Sequence, residues 1–367
     1  MCSSTGQTLL TRMPPRLGLV IALMVGLQGT SSAQGITIPR YRGPLSPPET
    51  LSLSFPGMHY DPVDTPLLWT QTGEIVIAHR ARYSNSGDVI GATCDGSGIF
   101  ILSLQHKTAH SLSVGKPVCW ATLSHEGLTV NSSMQWVLYT TYPSLKGNLA
   151  RIELRTGHSD SLSTGCTYLA YPALSRDDKW VAGTGWCFGN NEQASLYIAH
   201  SDGSNPHHVE VTDSGYAWAP SWSPDDRSVV YEIEYTPRNK TESNAIAIRD
   251  VSNGRTRIVA QGRQPSWSPD GQWIAFFTTN AGQRDWSVIR IIRPDGTGER
   301  VVFDNHERGT YSRGWGSMPE GIPVGPIVWS PDSHAIAFAR RFERGTIVWR
   351  LDVTTGALMQ VTEAAPR

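Results

Sequence analysis

Three aspartates occupy the same place in three copies of one short motif. Asp225, Asp270 and Asp332 each follow a Ser-Pro pair and precede an alternating apolar stretch. Repeated carboxylates are candidates for general acid–base chemistry. An Asp at this place in a turn, however, also accepts hydrogen bonds from backbone N–H groups, and turns spread around a molecule cannot converge on one substrate. We therefore predict that these aspartates shape turns, and we assign no catalytic residue.

The histidines do not form a metal-binding pattern. Eleven of them are scattered along the chain. His207 and His208 are adjacent, so on a strand they would point to opposite faces. The two His-Glu pairs both lack the second histidine of a His-Glu-x-x-His motif. Phosphate-binding, dinucleotide-binding and EF-hand motifs are also absent from the sequence, so we predict neither a metal nor a cofactor.

Residues 1–33 have the layout of a secretory signal peptide. A basic flank at Arg16 precedes eleven apolar residues, 17–27, and small residues fill the −3 and −1 positions of a cleavage site after Ala33. Met13 is an alternative start. Eleven apolar residues are too few to cross a hydrocarbon core, which needs about 20. The sequence thus predicts an exported protein, periplasmic or extracellular, with no membrane span.

Export would place four cysteines in an oxidising compartment: Cys94, Cys119, Cys166 and Cys187. An even number of cysteines in that setting favours two disulfides. Three pairings are possible and the sequence does not choose among them, while buried free thiols are the alternative. Zinc binding is disfavoured because no Cys-x-x-Cys pair occurs.

Composition favours an all-β protein that does not bind nucleic acid. Charged residues make up 17% of the chain, against roughly 25% in an average globular protein. The 35 glycines and 24 prolines supply the turns that many short strands need. The net charge of −1 lacks the basic excess that phosphate contacts require. Residues 34–66 are rich in proline, which cannot donate a ladder hydrogen bond, so we predict a linker there.

The elements that must position any site come from an internal repeat. Three clear copies read SWSPDDRSVVYE at 221–232, SWSPDGQWIAFF at 266–277 and VWSPDSHAIAFA at 328–339. Weaker copies begin at residues 67, 122 and 173. The six copies are anchored on Trp69, Leu123, Leu174, Trp222, Trp267 and Trp329, with spacings of 54, 51, 48, 45 and 62 residues. Self-similarity at such a period indicates a repeat architecture.

Each copy predicts two hairpins. The Ser-Pro-Asp-Gly turn joins two strands, and an Asn-Gly, Asp-Gly or Thr-Gly turn joins two more. Six sets of four antiparallel strands predict an all-β, six-bladed β-propeller over residues 67–367, because a ring needs no caps whereas a linear solenoid does. We also predict that Trp222, Trp267 and Trp329 pack the blades together.

The repeat Ser-Pro-Asp-Gly-x-x-Ile/Val-Ala/Val-Phe/Tyr, followed by an Asp-Gly hairpin, resembles the TolB-type propeller repeat, a relative of WD repeats. The resemblance covers all six copies and is sharpest in the last three. TolB is a periplasmic component of the Tol–Pal envelope system and carries an α/β domain before its propeller. This chain has the proline-rich stretch there, so the resemblance implies the propeller and not the Tol role. Similar repeats form the gating propellers of prolyl-oligopeptidase-type peptidases, but the Gly-x-Ser-x-Gly motif of their hydrolase domain is absent.

Strand order predicts that the longer connections share one end of the ring. We name this end the long-loop face; it carries the connections between second and third strands and those between blades. The other end, the short-turn face, carries the tight turns. The longest connection is Asn305–Pro326. Its candidate binding residues, of types enriched at interaction hot spots, are Arg308, Tyr311, Arg313 and Trp315; a solvated irregular loop is the alternative.

These features predict a non-catalytic exported propeller that binds a protein partner in the cell envelope, or an envelope glycan, through its long-loop face. Pairing Cys94 with Cys119, and Cys166 with Cys187, would clamp loops on that face. The alternative is a secreted hydrolase or lyase with its site at the channel mouth. Two convergent carboxylates or three histidines there would favour the enzyme, whereas small and apolar lining residues would disfavour it. The sequence leaves the oligomeric state and the closure of the ring open.

Overall fold

The computed structural model of the chain is built from β-strands. It describes residues 63–80, 98–106, 108–112, 127–140, 149–162, 164–187, 194–209, 215–235, 244–278, 288–305, 310–313, 316–343 and 345–362. The predicted leader and nearly all of the predicted linker lie outside these ranges. Within them the chain forms no helix, and so no helix long and apolar enough to cross a membrane.

The first half of the chain forms three antiparallel blades. Blade 1 comprises β1 (Val63–Trp69), β2 (Glu74–Arg80), β3 (Gly98–Ser103) and β4 (Thr108–Ser111). Blade 2 comprises β5 (Leu128–Val130), β6 (Trp136–Thr140), β7 (Leu149–Glu153) and β8 (Ser159–Leu162). Blade 3 comprises β9 (Cys166–Leu174), β10 (Trp180–Cys187), β11 (Ser195–His200) and β12 (His207–Val209).

The second half adds three more blades and one separate hairpin. Blade 4 comprises β13 (Gly215–Trp222), β14 (Ser228–Tyr235), β15 (Ala245–Asp250) and β16 (Thr256–Gln261). Blade 5 comprises β17 (Arg263–Trp267), β18 (Ile274–Thr278), β19 (Val288–Ile292) and β20 (Arg300–Asp304). The hairpin pairs β21 (Thr310–Arg313) with β22 (Gly316–Pro319). Blade 6 comprises β23 (Ile322–Trp329), β24 (Ala335–Phe342), β25 (Gly345–Asp352) and β26 (Leu358–Gln360). The prediction of an all-β, six-bladed β-propeller of four-stranded antiparallel blades is confirmed.

Burial of a strand follows its place in the blade. The middle strands β11 and β15 are apolar and buried over most of their length, because neighbouring blades cover both of their faces. The outermost strand β16 is mostly exposed. The apolar clusters lie between adjacent blades; one joins Leu196 of blade 3 to Trp222 and Tyr231 of blade 4. Packing of one blade face on the next therefore forms the core.

Among the described strands, the ring closes without exchanging a strand between its first and last blades. Every blade is formed by four consecutive strands of the chain. Blades 1 and 6 are joined by one parallel backbone pair, Val63 with Thr346. Behind this pair, a shared cluster packs Trp69 and Ile77 of blade 1 against Val348 of blade 6. Apolar packing at this seam thus supplements a single point of backbone pairing.

The placement of the second repeat copy was wrong. Its inner strand is β5 and its turn begins at Asn131, not within residues 122–127; Leu123 lies outside the described residues. The Asn131 side-chain oxygen accepts bonds from the backbone N–H groups of Gln135, at 2.8 Å, and Trp136, at 2.9 Å. Asn131 thus does with an amide what serine does in the clear copies. Val130 is the true anchor, so the first two spacings become 61 and 44 residues.

The predicted packing role of the tryptophans is confirmed. Trp222 and Trp329 are buried in the clusters between blades 3 and 4 and between blades 5 and 6. The indole N–H of Trp329 donates to the carbonyl oxygen of Ser266 in the preceding blade, at 3.1 Å. Trp267 is partly buried against the cluster between blades 4 and 5. These side chains join each blade to its predecessor.

Candidate functional site

The turns between first and second strands carry a repeated hydrogen-bond motif. In blade 4 the Ser223 hydroxyl donates to Asp225 at 2.6 Å and accepts from the backbone N–H of Ser228 at 2.9 Å. The same two bonds are made by Ser175, Ser268 and Ser330 in their own blades. The Ser223 hydroxyl and the backbone N–H of Arg227 hold the pKa of Asp225 below its ordinary value. The predicted turn role of the aspartates is confirmed.

Side chains also link each of several turns to the next around the short-turn face. The Asp178 carboxylate of blade 3 accepts from the hydroxyl of Ser132 in blade 2 at 2.6 Å, and from its backbone N–H at 3.1 Å. Asp226 of blade 4 accepts from the backbone N–H of Arg176 in blade 3 at 2.7 Å. These contacts join residues 46 to 50 positions apart. Blades 2, 3 and 4 are therefore tied together at their turns.

Proline changes how the next two turns meet. Pro224 and Pro269 stand where Ser132 and Arg176 stand in the earlier blades, and proline has no N–H to donate. Gly271 faces Pro224 directly: a Cβ added to Gly271 would lie 3.2 Å from the Pro224 ring. In blade 6, Ser333 instead accepts from the backbone N–H of Asp270 at 3.1 Å. The position held by Asp178 and Asp226 in blades 3 and 4 is therefore glycine where a proline ring faces it. It is serine where the backbone N–H of Asp270 faces it.

A cavity of about 370 Å³ occupies the short-turn end of the central channel. The innermost strands of all six blades line it, chiefly with proline, serine and apolar residues. Among the described residues, the charged side chains of this lining are Arg176 and Asp178 alone; Asp178 bonds to Ser132 of blade 2, and Arg176 to the carbonyl oxygen of Pro269 in blade 5. Across the same part of the chain, no group of three His, Cys, Asp or Glu side chains is placed to hold a metal.

The channel wall is shaped by a bulge at one proline in the innermost strand of five blades. The strands of blades 1, 3, 4, 5 and 6 shift register at Pro66, Pro172, Pro220, Pro265 and Pro326. Tyr171, Ala219 and Gln264, directly before three of these prolines, have φ of 46° to 52°, which is uncommon outside glycine. Proline can edge the channel because that side of the strand has no partner. In these five blades a proline two or three residues before the anchor is the sequence signal from which the bulge could have been predicted.

Two carboxylates lie together between blades 4 and 5, away from the cavity lining. Glu232 is fully buried and accepts from the side-chain amide of Asn244 and from the backbone N–H of Gln264. The Arg263 guanidinium lies 3.5 Å from Glu232 and 3.8 Å from Glu234. A buried carboxylate bonded in this way secures the two blades and is closed to a substrate.

The long-loop face carries the insertion between blades 5 and 6. The connection runs from Asn305 to Gly321, since residues 322–326, which the sequence placed in the loop, belong to β23. Its described part contains the hairpin β21–β22, which we did not predict from the sequence. Tyr311 and Arg313 lie on β21, and Arg308 and Trp315 lie outside the described residues. Two of the four candidate binding residues are thus on one strand.

The base of this insertion meets Arg340 of β24. The Arg340 guanidinium donates to the carbonyl oxygen of Gly321 at 2.9 Å and to the side-chain oxygen of Asn305 at 3.0 Å. The Asn305 amide donates in turn to the carbonyl oxygen of Glu320 at 2.9 Å. Arg340 was not predicted from the sequence, because its partners are 19 and 35 residues away and no local motif marks them.

Two of the four cysteines fall within the described residues. Cys166 begins β9 and Cys187 ends β10, both at the long-loop face, and they are directly opposite each other in the antiparallel ladder. Cys166 is buried. Cys94 and Cys119 lie outside the described residues.

The sequence matches no protein-family model. A 156-residue stretch is 29% identical to dipeptidyl-peptidase 5 of Porphyromonas gingivalis, covering 39% of this chain and 20% of that protein. The chain therefore spans about one fifth of the length of this curated relative. The structure of TolB from Acinetobacter baumannii superposes with a TM-score of 0.54 at 13% identity, over 84% of this chain and 66% of that one. The fold is that of a TolB-like β-propeller.

An enzyme shares this fold as well. An oligogalacturonate lyase in complex with manganese superposes on the TolB-like propeller with a TM-score of 0.50 at 12% identity, over 79% of this chain and 90% of that one. At such identity the likeness extends to the fold and not to the site. The choice between binding and catalysis must therefore come from this chain's own residues.

Proposed function

We propose that this chain is an exported, non-catalytic propeller that binds a protein of the cell envelope through its long-loop face. The observation that carries the proposal is the difference between the two ends of the ring. On the short-turn face, hydrogen bonds within and between turns occupy the carboxylates of Asp178, Asp225 and Asp226. On the opposite face, the insertion at 305–321 projects a hairpin from a bonded base. Connections that vary on a rigid scaffold are where binding sites usually lie.

The channel offers less support for the alternative of a hydrolase or lyase. A catalytic site needs a nucleophile or an acid–base pair within reach of one substrate position. The described cavity lining supplies one carboxylate, on Asp178, and that group already accepts bonds from Ser132. The buried carboxylate of Glu232 lies off the lining and is bonded to Asn244 and Gln264. We therefore place binding ahead of catalysis.

The disulfide between Cys166 and Cys187 is part of this proposal. Residues directly opposite in an antiparallel pair have Cα atoms about 4.5–5.5 Å apart, within the range of about 4.4–6.8 Å that a disulfide spans. Their ladder pairing therefore supports the pairing of Cys166 with Cys187 among those that the sequence left open. A bond there would hold the ends of β9 and β10 together beside the proposed binding face.

The test is capture of envelope proteins by the immobilised mature chain and by a variant in which residues 306–320 are replaced by a short Gly-Ser linker. Keeping Asn305 and Gly321 preserves β20 and β23 on either side. We expect a protein captured by the native chain and identified by mass spectrometry to be lost from the variant. Equal recovery of the captured protein by a variant with an unchanged near-ultraviolet circular dichroism spectrum would show that the binding site does not lie in the insertion.

Point variants sharpen the same test. Tyr311→Ala and Arg313→Ala alter the hairpin, whereas Arg255→Ala alters an exposed turn on the short-turn face. We expect weaker capture from the first two and native capture from the third. The opposite pattern would move the contact to the short-turn face.

N-terminal sequencing of the secreted protein, with a start at residue 34, would support export.

A further inference from the structure

Both ends of the insertion converge on one guanidinium. Arg340 bonds to Asn305, the first residue of the connection, and to Gly321, the last. The backbone N–H of Gly321 donates to the carbonyl oxygen of Arg341 at 2.7 Å. The amide of Asn305 also bonds across to Glu320. The two ends are therefore held to each other and to β24.

The guanidinium that makes these bonds is buried among aromatic rings. Arg340 is 5% exposed. Its guanidinium carbon lies 5.3 Å from the ring centre of Phe303, 5.4 Å from that of Phe342 and 4.8 Å from that of Trp349. Burying an arginine is costly unless its donors are bonded, and aromatic faces attract the planar cation. The site is thus specific for a flat group that donates along several directions in its plane.

Among the described residues, the hairpin above this base has no backbone pairing with a strand of the ring. There, β21 and β22 pair only with each other. An isolated two-stranded hairpin is marginally stable in water. Its orientation relative to the ring must therefore be set at the base, where Arg340 acts.

We propose that Arg340 is the positioning residue that presents the hairpin β21–β22 as an ordered surface to the protein partner. A loop ordered before binding loses less conformational entropy in the complex. That a protein partner binds there rests on the proposed function. The bonds from Arg340 to Asn305 and Gly321, which we call the clamp, do not depend on it.

The clamp is tested by limited trypsin digestion of the full mature chain and of Arg340→Met. Cleavage after Arg308 and Arg313 reports on the insertion, and cleavage after Arg255 reports on a distant exposed turn. Loss of the two bonds to the insertion should raise the ratio of insertion to distant cleavage about tenfold. General destabilisation would raise both rates together and leave this ratio unchanged, which would overturn the proposal.

A control removes another arginine that packs on an aromatic ring but is exposed. Arg300 lies over Trp273 at 5.6 Å and donates to the carbonyl oxygen of Val353 at 3.0 Å. Arg300→Met should leave the cleavage ratio at the native value. Arg340→Lys keeps the charge without the planar fork, so its ratio should fall between those of the native chain and Arg340→Met. A native ratio in both Arg340 variants would contradict the clamp.

Asn305→Ala keeps the proposal testable should Arg340→Met fail to fold, because it leaves the aromatic rings in place. It should raise the ratio as well. Combining it with Arg340→Met should add little, since both remove one connected set of bonds. A native ratio in Asn305→Ala would count against the clamp.

Partner capture separates the two proposals. Loss of capture on replacement of residues 306–320, together with reduced capture by Arg340→Met, supports the positioning role. Loss on replacement but native capture by a well-folded Arg340→Met would overturn the positioning role alone. Native capture after the replacement would overturn the proposed binding site, while the cleavage ratio would still report on the clamp.

Discussion

The indole N–H of Trp222 donates a 3.0 Å hydrogen bond to the backbone carbonyl oxygen of Ala173, 49 residues earlier and one blade away. Trp222 is also buried in the cluster between these two blades. One side chain thus supplies both apolar contact and a directional bond across a blade interface. The repeated tryptophan before the Ser-Pro-Asp turn therefore sets how neighbouring blades are aligned.

We expect Trp222→Phe to lower the free energy of unfolding by about 1–3 kcal/mol, because it removes the bond to Ala173 and part of the buried ring. Trp267→Phe is the matched control, since its indole N–H bonds within its own turn, to Gly271. It should cost less. Urea unfolding followed by circular dichroism measures both values. Equal losses would mean that the bond between blades contributes no more to the stability than the bond within one turn.

Asp178 bonds to the neighbouring blade and also has a left-handed backbone conformation. Three substitutions separate the contribution of the bond from that of the backbone conformation. Its φ is 59°, and its carboxylate accepts from Ser132. Asp178→Ala should be the most harmful, because it loses the bond and adds strain; Asp178→Gly should be milder by about 1 kcal/mol, because glycine tolerates this φ. Asp178→Asn keeps an acceptor and should be mildest. Equal losses of thermal stability in Asp178→Ala and Asp178→Gly would contradict the expected backbone strain at this φ.

Stability should fall in acid because the turn aspartates are bonded in the folded state. The Ser330 hydroxyl and the backbone N–H of His334 hold the pKa of Asp332 below its ordinary value of 3.8, and the pKa of Asp225 is lowered in the same manner. A lowered pKa gives stability that is complete above the unfolded value and is lost as the pH falls below it. Urea unfolding between pH 2.5 and pH 7, chosen to bracket about 3.8, should therefore show a decline that starts near pH 4 to 5.

Ser330→Ala tests the cause of that decline. It removes the hydroxyl that donates to Asp332 and accepts from Ala335. The variant should be less stable at neutral pH and should lose less stability on acidification than the native chain. An acid decline as steep as the native one would show that the hydroxyl does not set the pKa of Asp332.

Gly262 should not tolerate a side chain, for reasons of space. A Cβ there would collide with the buried ring of Phe276 and lie 2.7 Å from the carbonyl oxygen of Phe277. Gly262→Ala should therefore cost more than about 3 kcal/mol, at the upper end of overpacking effects. Gly157→Ala is the control, since it has a φ of 73° and open space, and should cost about 1 kcal/mol. Similar losses in urea unfolding would show that blade 5 relaxes around the added methyl group.

The mature chain should contain a disulfide between Cys166 and Cys187. Non-reducing peptide mapping should recover the two cysteines in one cross-linked peptide pair. Cys187→Ser, which removes this bond alone, should lower the free energy of unfolding by about 2–3 kcal/mol without reductant. Alkylation of both thiols in the unreduced secreted protein would reject the bond.

The sequence by itself determined the propeller because the repeat is written in local interactions. Ser223 and Asp225 are two residues apart, and the bonds that close their turn span at most five residues. The residue types of the motif are therefore enough to predict the shape of the turn. The same logic failed in blade 2. There, Asn131 makes the equivalent bonds with an amide. The turn keeps its shape although the residue types differ from those of the motif.

Only the tertiary structure decided which distant residues meet. The contact of Asp178 with Ser132, the burial of Glu232 against the next blade and the clamp of Arg340 on Asn305 join positions 32 to 46 residues apart. No local pattern predicts them, because they depend on how the rigid blades pack around the ring. The candidate loop at 305–326 was found from spacing alone, but its hairpin and its buried anchor emerged only when blades 5 and 6 were placed side by side.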